Sequence, residues 1–363
     1  MRIAVTCGGT GGHTYPGLAT ALELKERGHA VTIWVGSRGV ESAALQEWSG
    51  ECVRVAAGGL SGGIVGKAMG AVRCLLATVV SFYKLGRNRP EVMLAMGSYA
   101  SVGPVLAARM RRIPVVLHEA NAVPGRAITF LARFATGVAV TFPSTQAQFL
   151  KCNTRVTGLP LRPGFNRATQ AASASPLTVL VMGGSQGARV LNEAIPGILG
   201  RLVTAGLELC VIHLAGKGNA KDVSDRYTAL GVRAEVHDYL HDMAGVYART
   251  SVAIARAGAG ACMELACCAI PAIFIPLPQA IRDHQSANAR ALVDCGGALV
   301  VEQSRLTDET LERYIDALAR EPSRLVAMRT ALSRWAVCDG ASRLADFVDA
   351  VAEGNLTTTV HQA

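Results

Sequence analysis

The sequence predicts an α/β protein built of two Rossmann-like, parallel-sheet domains, and three observations predict it. Short apolar runs rich in β-branched residues alternate with helical stretches along the whole chain. A glycine-rich loop follows a buried run twice. It reads Cys7-Gly8-Gly9-Thr10-Gly11-Gly12-His13 and then, 175 positions later, Met182-Gly183-Gly184-Ser185-Gln186-Gly187-Ala188. Between the two halves lie Gly158-Leu159-Pro160-Leu161-Arg162-Pro163-Gly164 and the small polar stretch Ala171–Pro176, the composition of a linker.

The first series of strands is expected at Ile3–Cys7, Val31–Val35, Val92–Ala95, Val115–His118 and Val138–Val140. The second is expected at Leu177–Met182, Glu208–Leu214, Val252–Ala255, Ala272–Ile275 and Ala298–Val301. Runs apolar at nearly every position belong to strands covered on both faces, as in parallel sheets flanked by helices. Such sheets bind ligands beyond the carboxyl ends of their strands, so two facing domains would share an interdomain cleft. A chain of 363 residues is long enough for two separate cores.

Composition narrows the class. Half the residues are hydrophobic and 17% are charged, which excludes a disordered chain. The ten cysteines are scattered without a C-x-x-C pair, so neither a disulfide framework nor a zinc site is expected. No signal-peptide pattern opens the sequence, and no uninterrupted apolar run approaches the roughly 18 residues of a spanning helix. The expectation is a cytoplasmic protein whose membrane contact is peripheral. A net charge of +9 points to anionic partners. The basic residues form no single tract and no nucleic-acid motif, so a phosphorylated small molecule or an acidic lipid surface is expected rather than nucleic acid.

Gly8, Gly9, Gly11 and Gly12 remove the Cβ atoms from a strand-to-helix turn, so N–H groups can approach an anion at a helix N-terminus. One such loop is equally a tight turn for packing; two at matching places favour a phosphate site. Neither loop has G-x-G-x-x-G spacing. The second strand ends Val35-Gly36-Ser37-Arg38, without the carboxylate that a nicotinamide dinucleotide needs, although Arg38 suits a 2′-phosphate. Late in the second half, Arg256-Ala257-Gly258-Ala259-Gly260-Ala261-Cys262-Met263-Glu264 turns from a strand into a helix. Glu264 there can accept two hydrogen bonds from vicinal ribose hydroxyls; alone, it would read as a glutamate favoured by the helix dipole. The polar run Asp283-His284-Gln285-Ser286-Ala287-Asn288 behind Pro276-Leu277-Pro278 favours the site reading.

The stretches Gly8–His13, His118-Glu119-Ala120-Asn121, Gly183–Ala188 with Asn192, Arg256–Glu264 and Asp283–Asn288 together resemble the MurG family of bacterial N-acetylglucosaminyltransferases, over roughly residues 1–350. The resemblance implies a GT-B fold and inverting transfer of GlcNAc from UDP-GlcNAc to the C4 hydroxyl of the muramyl sugar of lipid I, giving lipid II for peptidoglycan. It implies no cofactor and no active-site metal, and peripheral attachment to the cytoplasmic face of the inner membrane. Partners in cell-wall synthesis or division would follow. Its domains would be 1–160 and 161–338, with a helix at 339–354 crossing back to the first domain and a tail at 355–363. Ser185, Gln186 and Gly187 would hold the donor near its phosphates. Ala259, Gly260 and Ala261 would face the uracil beside Leu240; Glu264 would hold the ribose, and Gln285 the ribose or sugar. Thr10, Gly11, Gly12, Asn121 and Arg162 would complete the donor site. The chain departs from the family at Leu159 within Gly158–Arg162, at Ala257 where a serine is usual, and at Ser98 where a glycine is usual.

Transfer to a hydroxyl needs a base, and His13 is the first candidate, since its counterpart in the second loop is Ala188. The helix N-terminal field would keep its imidazole neutral. Equally, His13 could only position phosphate or acceptor sugar. Glu119 is the second candidate, or else a structural carboxylate satisfying loop amides. His237 and His241 lack a third ligand, and Cys267-Cys268 reads as core. A UDP-GlcNAc epimerase on the same fold is the alternative enzyme, and a non-catalytic nucleotide-binding regulator the alternative of another class. Between residues 62 and 89, Lys67, Arg73, Lys84, Arg87 and Arg89 are interleaved with apolar residues and no acid. The stripe Val72, Leu75, Leu76, Val79 and Phe82 is expected to pack on the sheet, leaving the lead-in at 58–66 and the basic exit for the bilayer.

Overall fold

The structure, a computed structural model, describes residues 1–9, 11–36, 45–55, 64–162, 164–165, 176–184, 187–306 and 309–355. It divides into two compact units, Met1–Pro163 with Val337–Ala363, and Gly164–Ala336.

The first unit begins β1 (Arg2–Thr6), α1 (Gly11–Glu26), β2 (Ala30–Val35) and β3 (Glu51–Arg54). It continues with α2 (Ile64–Arg87), β4 (Val92–Ala95), α3 (Val102–Met110), β5 (Val115–Glu119), α4 (Arg126–Leu131), β6 (Gly137–Val140) and β7 (Thr154–Val156). Among the described residues its seven strands are all parallel, in the order β3-β2-β1-β4-β5-β6-β7. Ile3 faces Val31 on one side and Val92 on the other, so the order reverses beside β1. That reversal is where a doubly wound sheet opens for a ligand. Helix α1 packs tightly there: a Cβ on Gly17 would stand 2.5 Å from the Cys7 Cβ.

The second unit repeats the plan with β8 (Leu177–Met182), α5 (Arg189–Thr204), β9 (Leu209–Leu214), α6 (Ala220–Ala229) and β10 (Ala234–His237). Then come α7 (Met243–Arg249), β11 (Val252–Ala255), α8 (Ala259–Cys267), β12 (Ala272–Phe274), α9 (His284–Asp294) and β13 (Ala298–Val300), with α10 (Thr310–Arg320) and α11 (Pro322–Trp335) closing the unit. Its strands are also parallel, in the order β10-β9-β8-β11-β12-β13, reversing beside β8. Val179, Val181, Leu191, Ile195, Val211 and Ile254 share one core.

The last helix, α12 (Gly340–Ala352), belongs to the first unit. Leu344, Phe347 and Val348 join Ile3, Leu24 and Leu94 in its core. Arg27, in the turn just after α1, donates to Asp346 at 2.6 Å and to the Ser342 carbonyl at 3.0 Å.

Three strands have no counterpart in the sequence reading: β3, β7 and β10. Each is the outermost or flanking strand of its sheet, carries polar or charged residues, and has no fully buried position. Without a continuous apolar run, they lack the signal that identified the central strands.

Helix α2 also corrects an expectation. Met69, Val72, Leu75, Leu76, Val79, Val80 and Tyr83 are exposed, Leu75 to 65%, while Ala77, Thr78, Ser81 and Leu85 are buried. The small face is the one that packs, because Gly103 of α3 brings the two helices so close that a Cβ there would meet Ala77 at 2.7 Å. The larger side chains are thereby left to solvent. Residues Ala68–Arg87 are long and apolar enough to cross a membrane by length and composition, contrary to the reading from uninterrupted runs, and only 28% of the apolar window is buried inside the protein.

Candidate active site

In the first unit three loops gather at the carboxyl ends of the neighbouring strands β1, β4 and β5. Gly11 and Gly12 are the first residues of α1, where N–H groups have no partner within the helix. His13 follows, half-buried, with its ring edge beside Gly97: a Cβ on that glycine would lie 3.4 Å from His13 Cδ2. Burial, rather than the helix field invoked from the sequence, lowers the His13 pKa to about 4, so the ring is neutral at pH 7. His118 on β5 is buried, and its Nε2–H donates to the Gly158 carbonyl at 3.1 Å. Burial lowers its pKa to about 4, with the Gly158 bond opposing and repulsion from His13, once that ring is protonated, adding.

Glu119 ends β5 and is buried. Its Oε1 accepts from the Asn121 amide N–H at 2.8 Å and from Asn121 Nδ2 at 3.3 Å; Oε2 accepts from the Gly125 N–H at 2.8 Å. The carboxylate thus holds the loop between β5 and α4, and Asn121 is part of that scaffold. Arg162 lies 4.9 Å over the ring of Tyr15, a residue of α1. Ser98 stands at φ 65° and ψ 166°, a region that essentially only glycine occupies without strain. Its Oγ accepts from the Ala100 N–H at 3.2 Å, which partly offsets the strain. The departure at Leu159 is a buried side chain. Thr10 and Arg38 lie outside the described residues.

In the second unit the glycine loop leaves β8, and the loop into α8 leaves its neighbour β11. Ser185 and Gln186 lie outside the described residues. Gly187, at φ 72°, has its α-carbon against the Ala215 carbonyl, where a side chain would collide. The same carbonyl accepts from Asn192 Nδ2 at 2.8 Å. Asn192 Oδ1 accepts from His213 Nε2 at 3.1 Å, and His213 Nδ1 accepts from the Tyr227 hydroxyl at 2.9 Å. Asn192 uses its amide N–H on Ala215, so its oxygen requires the Nε2–H tautomer of His213. Burial lowers the His213 pKa to about 4. A buried neutral relay therefore seats the loop, and none of its side chains but Asn192 was marked by motif.

Ala259, Gly260 and Ala261 form the first turn of α8, and Glu264 lies in the second, half-buried. Tyr247 of α7 donates to Glu264 Oε2 at 2.7 Å. Leu240 is half-buried in the loop after β10. Ala257 is buried, and its carbonyl accepts from Asn288 Nδ2 at 3.0 Å. Gln285 turns its Oε1 to the Leu277 N–H at 3.0 Å, so it fastens the proline loop. Arg256 donates to the Ile275 and Pro276 carbonyls at 2.9 and 3.1 Å and to Gln303 at 2.7 Å, fixing the other side of that loop. Tyr247 and Arg256 are the residues whose work sequence reasoning missed. A tyrosine in a short apolar helix reads as core, and an arginine after a strand carries no spacing signal.

The profile of the glycosyltransferase family 28 N-terminal domain matches residues 3–140, and that of the family 28 C-terminal domain residues 178–344. The chain is 37% identical over 359 residues to the UDP-N-acetylglucosamine–N-acetylmuramyl-(pentapeptide) pyrophosphoryl-undecaprenol N-acetylglucosamine transferase of Aeromonas hydrophila, covering 98% of each. It is similar to the crystal structure of Acinetobacter baumannii MurG, with TM-score 0.80 and 28% identity over 96% of this chain and 99% of that one. The UDP-GlcNAc 2-epimerase of Neisseria meningitidis, bound to UDP-GlcNAc, has TM-score 0.68 at 10% identity over 95% and 99%, a likeness of fold alone.

Proposed function

The chain belongs to glycosyltransferase family 28 and, within it, to the MurG family; from that premise we propose how its residues divide the reaction. The enzyme transfers GlcNAc from UDP-GlcNAc to the C4 hydroxyl of the MurNAc-pentapeptide of undecaprenyl-pyrophosphoryl lipid I, with inversion, giving lipid II. The observation that carries the reading is 37% identity to a relative named for that activity, over 98% of both chains, on a chain whose second unit sets the helix of Glu264 after β11, the neighbour of the strand that leads into the glycine loop.

The second unit holds the donor. Glu264 accepts the ribose hydroxyls, Ala259 to Ala261 and Leu240 border the uracil, and Gly187 lets the loop backbone approach the diphosphate, with Ser185 and Gln186 as its polar members. Gln285 offers its amide N–H to the ribose or sugar. In the first unit, Gly11, Gly12 and Thr10 present N–H groups to an anion, and Arg162 adds charge. His13 is the base for the acceptor hydroxyl. Its neutral ring can accept a proton, and the acceptor's own pyrophosphate raises its affinity for one. Glu119 keeps the neighbouring loop in place rather than taking the proton.

The same unit meets the cytoplasmic face of the membrane through α2. Its exposed apolar face is flanked by Arg73, Lys84, Arg87 and Arg89, and at its exit Arg111 stacks on Phe82 at 3.9 Å. Next to Arg111 a depression of about 540 Å³ is lined by Arg109, Arg112 and Arg133 and no carboxylate. Acidic lipid fits such a surface. From there the enzyme serves wall synthesis and, through it, cell shape and division.

Radiolabelled UDP-GlcNAc with a lipid I analogue tests the reaction. The expected product is the lipid-linked disaccharide, formed only with acceptor present. Donor turnover without acceptor would instead establish the epimerase, and tight UDP binding without turnover a regulator.

A further inference from the structure

A carboxylate that reads ribose must be aimed, and Glu264 is aimed by a residue that no ligand can touch. Tyr247 is 1% exposed, in the middle of α7. Its hydroxyl donates to Glu264 Oε2 at 2.7 Å, the short distance of a bond to an ionised acceptor. The other end is equally fixed. The Tyr247 ring tilts against Phe165 at 5.7 Å between centroids, and its oxygen lies 3.8 Å from the sulfur of Met182, the last residue of β8. Helix α7 is itself anchored: Asp242 caps its start by accepting from the Gly245 N–H at 2.9 Å, and Thr250 bonds back to the Val246 carbonyl at 2.8 Å.

We propose that Tyr247 is the positioning residue for ribose recognition, holding one carboxylate oxygen of Glu264 so that the group meets the 2′- and 3′-hydroxyls in one orientation. This rests on the reading of Glu264 as the ribose acceptor. Glutamate has three side-chain torsions, and a free carboxylate on α8 would spread over several rotamers. The tyrosine removes that spread before the donor arrives, from the end of β8 where the glycine loop begins. Donor phosphate and ribose contacts are thus set from one point of the sheet.

The test is Tyr247→Phe in the full chain, which deletes one oxygen and keeps the ring against Phe165. Calorimetry with UDP and with 2′-deoxy-UDP reads the discrimination directly, and Glu264→Gln runs beside it. The expected result is UDP affinity about 10-fold weaker in Tyr247→Phe, the loss appropriate to one charge-assisted hydrogen bond. The 2′-deoxy ligand keeps only the 3′-hydroxyl contact and should weaken by about threefold on the same grounds, so the preference for ribose narrows by about threefold. KM for UDP-GlcNAc should rise while kcat holds. Equal weakening of both ligands would mean a packing role and overturn the proposal, as would an unchanged preference in Tyr247→Phe when Glu264→Gln loses it. If Glu264→Gln itself keeps the preference, the ribose assignment fails first and takes the proposal with it.

Discussion

Replacing Glu119 with alanine separates the two tasks a carboxylate at the end of β5 can perform. In the structure its two oxygens accept from the Asn121 and Gly125 main-chain N–H groups, at 2.8 Å each, and from the Asn121 side chain. Truncation leaves two main-chain donors without an acceptor in a part-buried loop. Bonds to a charged group contribute about 1.5–3 kcal/mol each, and removing a buried charge gives some of that back, so a loss of about 3 kcal/mol is expected. For a unit of this size that corresponds to a fall of about 6–12 °C in Tm. Thermal unfolding followed by circular dichroism measures it, with turnover assayed on the same preparation below the transition. Glu119→Gln should lie between, because its amide turns one acceptor into a donor facing a donor. Were Glu119→Ala to melt with the wild type while kcat collapsed, the carboxylate would be working on the substrate and the loop-holding account would be wrong.

His13→Ala should lower kcat by about 100-fold with UDP-GlcNAc binding little changed; a rise confined to the acceptor KM would reduce His13 to a positioning group. Ser98→Gly should raise stability by about 1 kcal/mol, since strain in this backbone region costs about 1–3 kcal/mol and one hydrogen bond is given up; urea unfolding would show no gain if the strain is absent. His118 and His213 are neutral in the fold, with pKa values lowered to about 4, whereas the unfolded chain takes up their protons below about 6.5. Stability should therefore fall as pH drops from about 6.5 toward 4, by about 2 kcal/mol per histidine at pH 5, and equal urea midpoints at pH 7 and pH 5 would contradict this. Changing Leu75, Leu76 and Val79 together to glutamine should weaken co-sedimentation with acidic liposomes by about 100-fold or more, each exposed side chain contributing about 1–2 kcal/mol to the bilayer contact. Changing Lys84, Arg87 and Arg89 to glutamine should instead weaken it mainly at low salt. Retention of either triple variant at wild-type levels removes its set of residues from the membrane surface.

What could be read in the sequence follows what buried strands and glycines force. Each central strand came from its apolar run, and the two glycine loops marked the start of each sheet, whose strand orders only the structure gives. Relations across the fold were out of reach. Nothing in the order of residues says that Glu119 would fold back on Gly125, or that Tyr247 would meet Glu264. The amphipathic face of α2 was misassigned because hydrophobicity alone does not tell which side packs. There the decisive residues were Gly103 and Ala77, whose small size brought the helices together. Ser98 was noticed as a departure, but only its backbone angles explain why a glycine would be the easier residue there.

The placement of α12 bears on how the protein is made. The second unit is one continuous stretch, Gly164–Ala336, so it has all its strands once that stretch has left the ribosome. The first unit does not: Phe347 and Val348 fill its core, and Arg27 waits some three hundred residues for Asp346. Until the last helix emerges, the groove beside α1 and under Gly137 stands open, lined by Ile3, Leu24 and Leu94. Synthesis runs from the amino terminus, so the second unit can close before the first, whose core needs a segment that follows the second unit in the chain. A nascent chain halted before residue 340 should accordingly carry a protease-resistant second unit on a first unit that is still sensitive. Shortening the chain at its carboxyl end would harm the unit that was begun first.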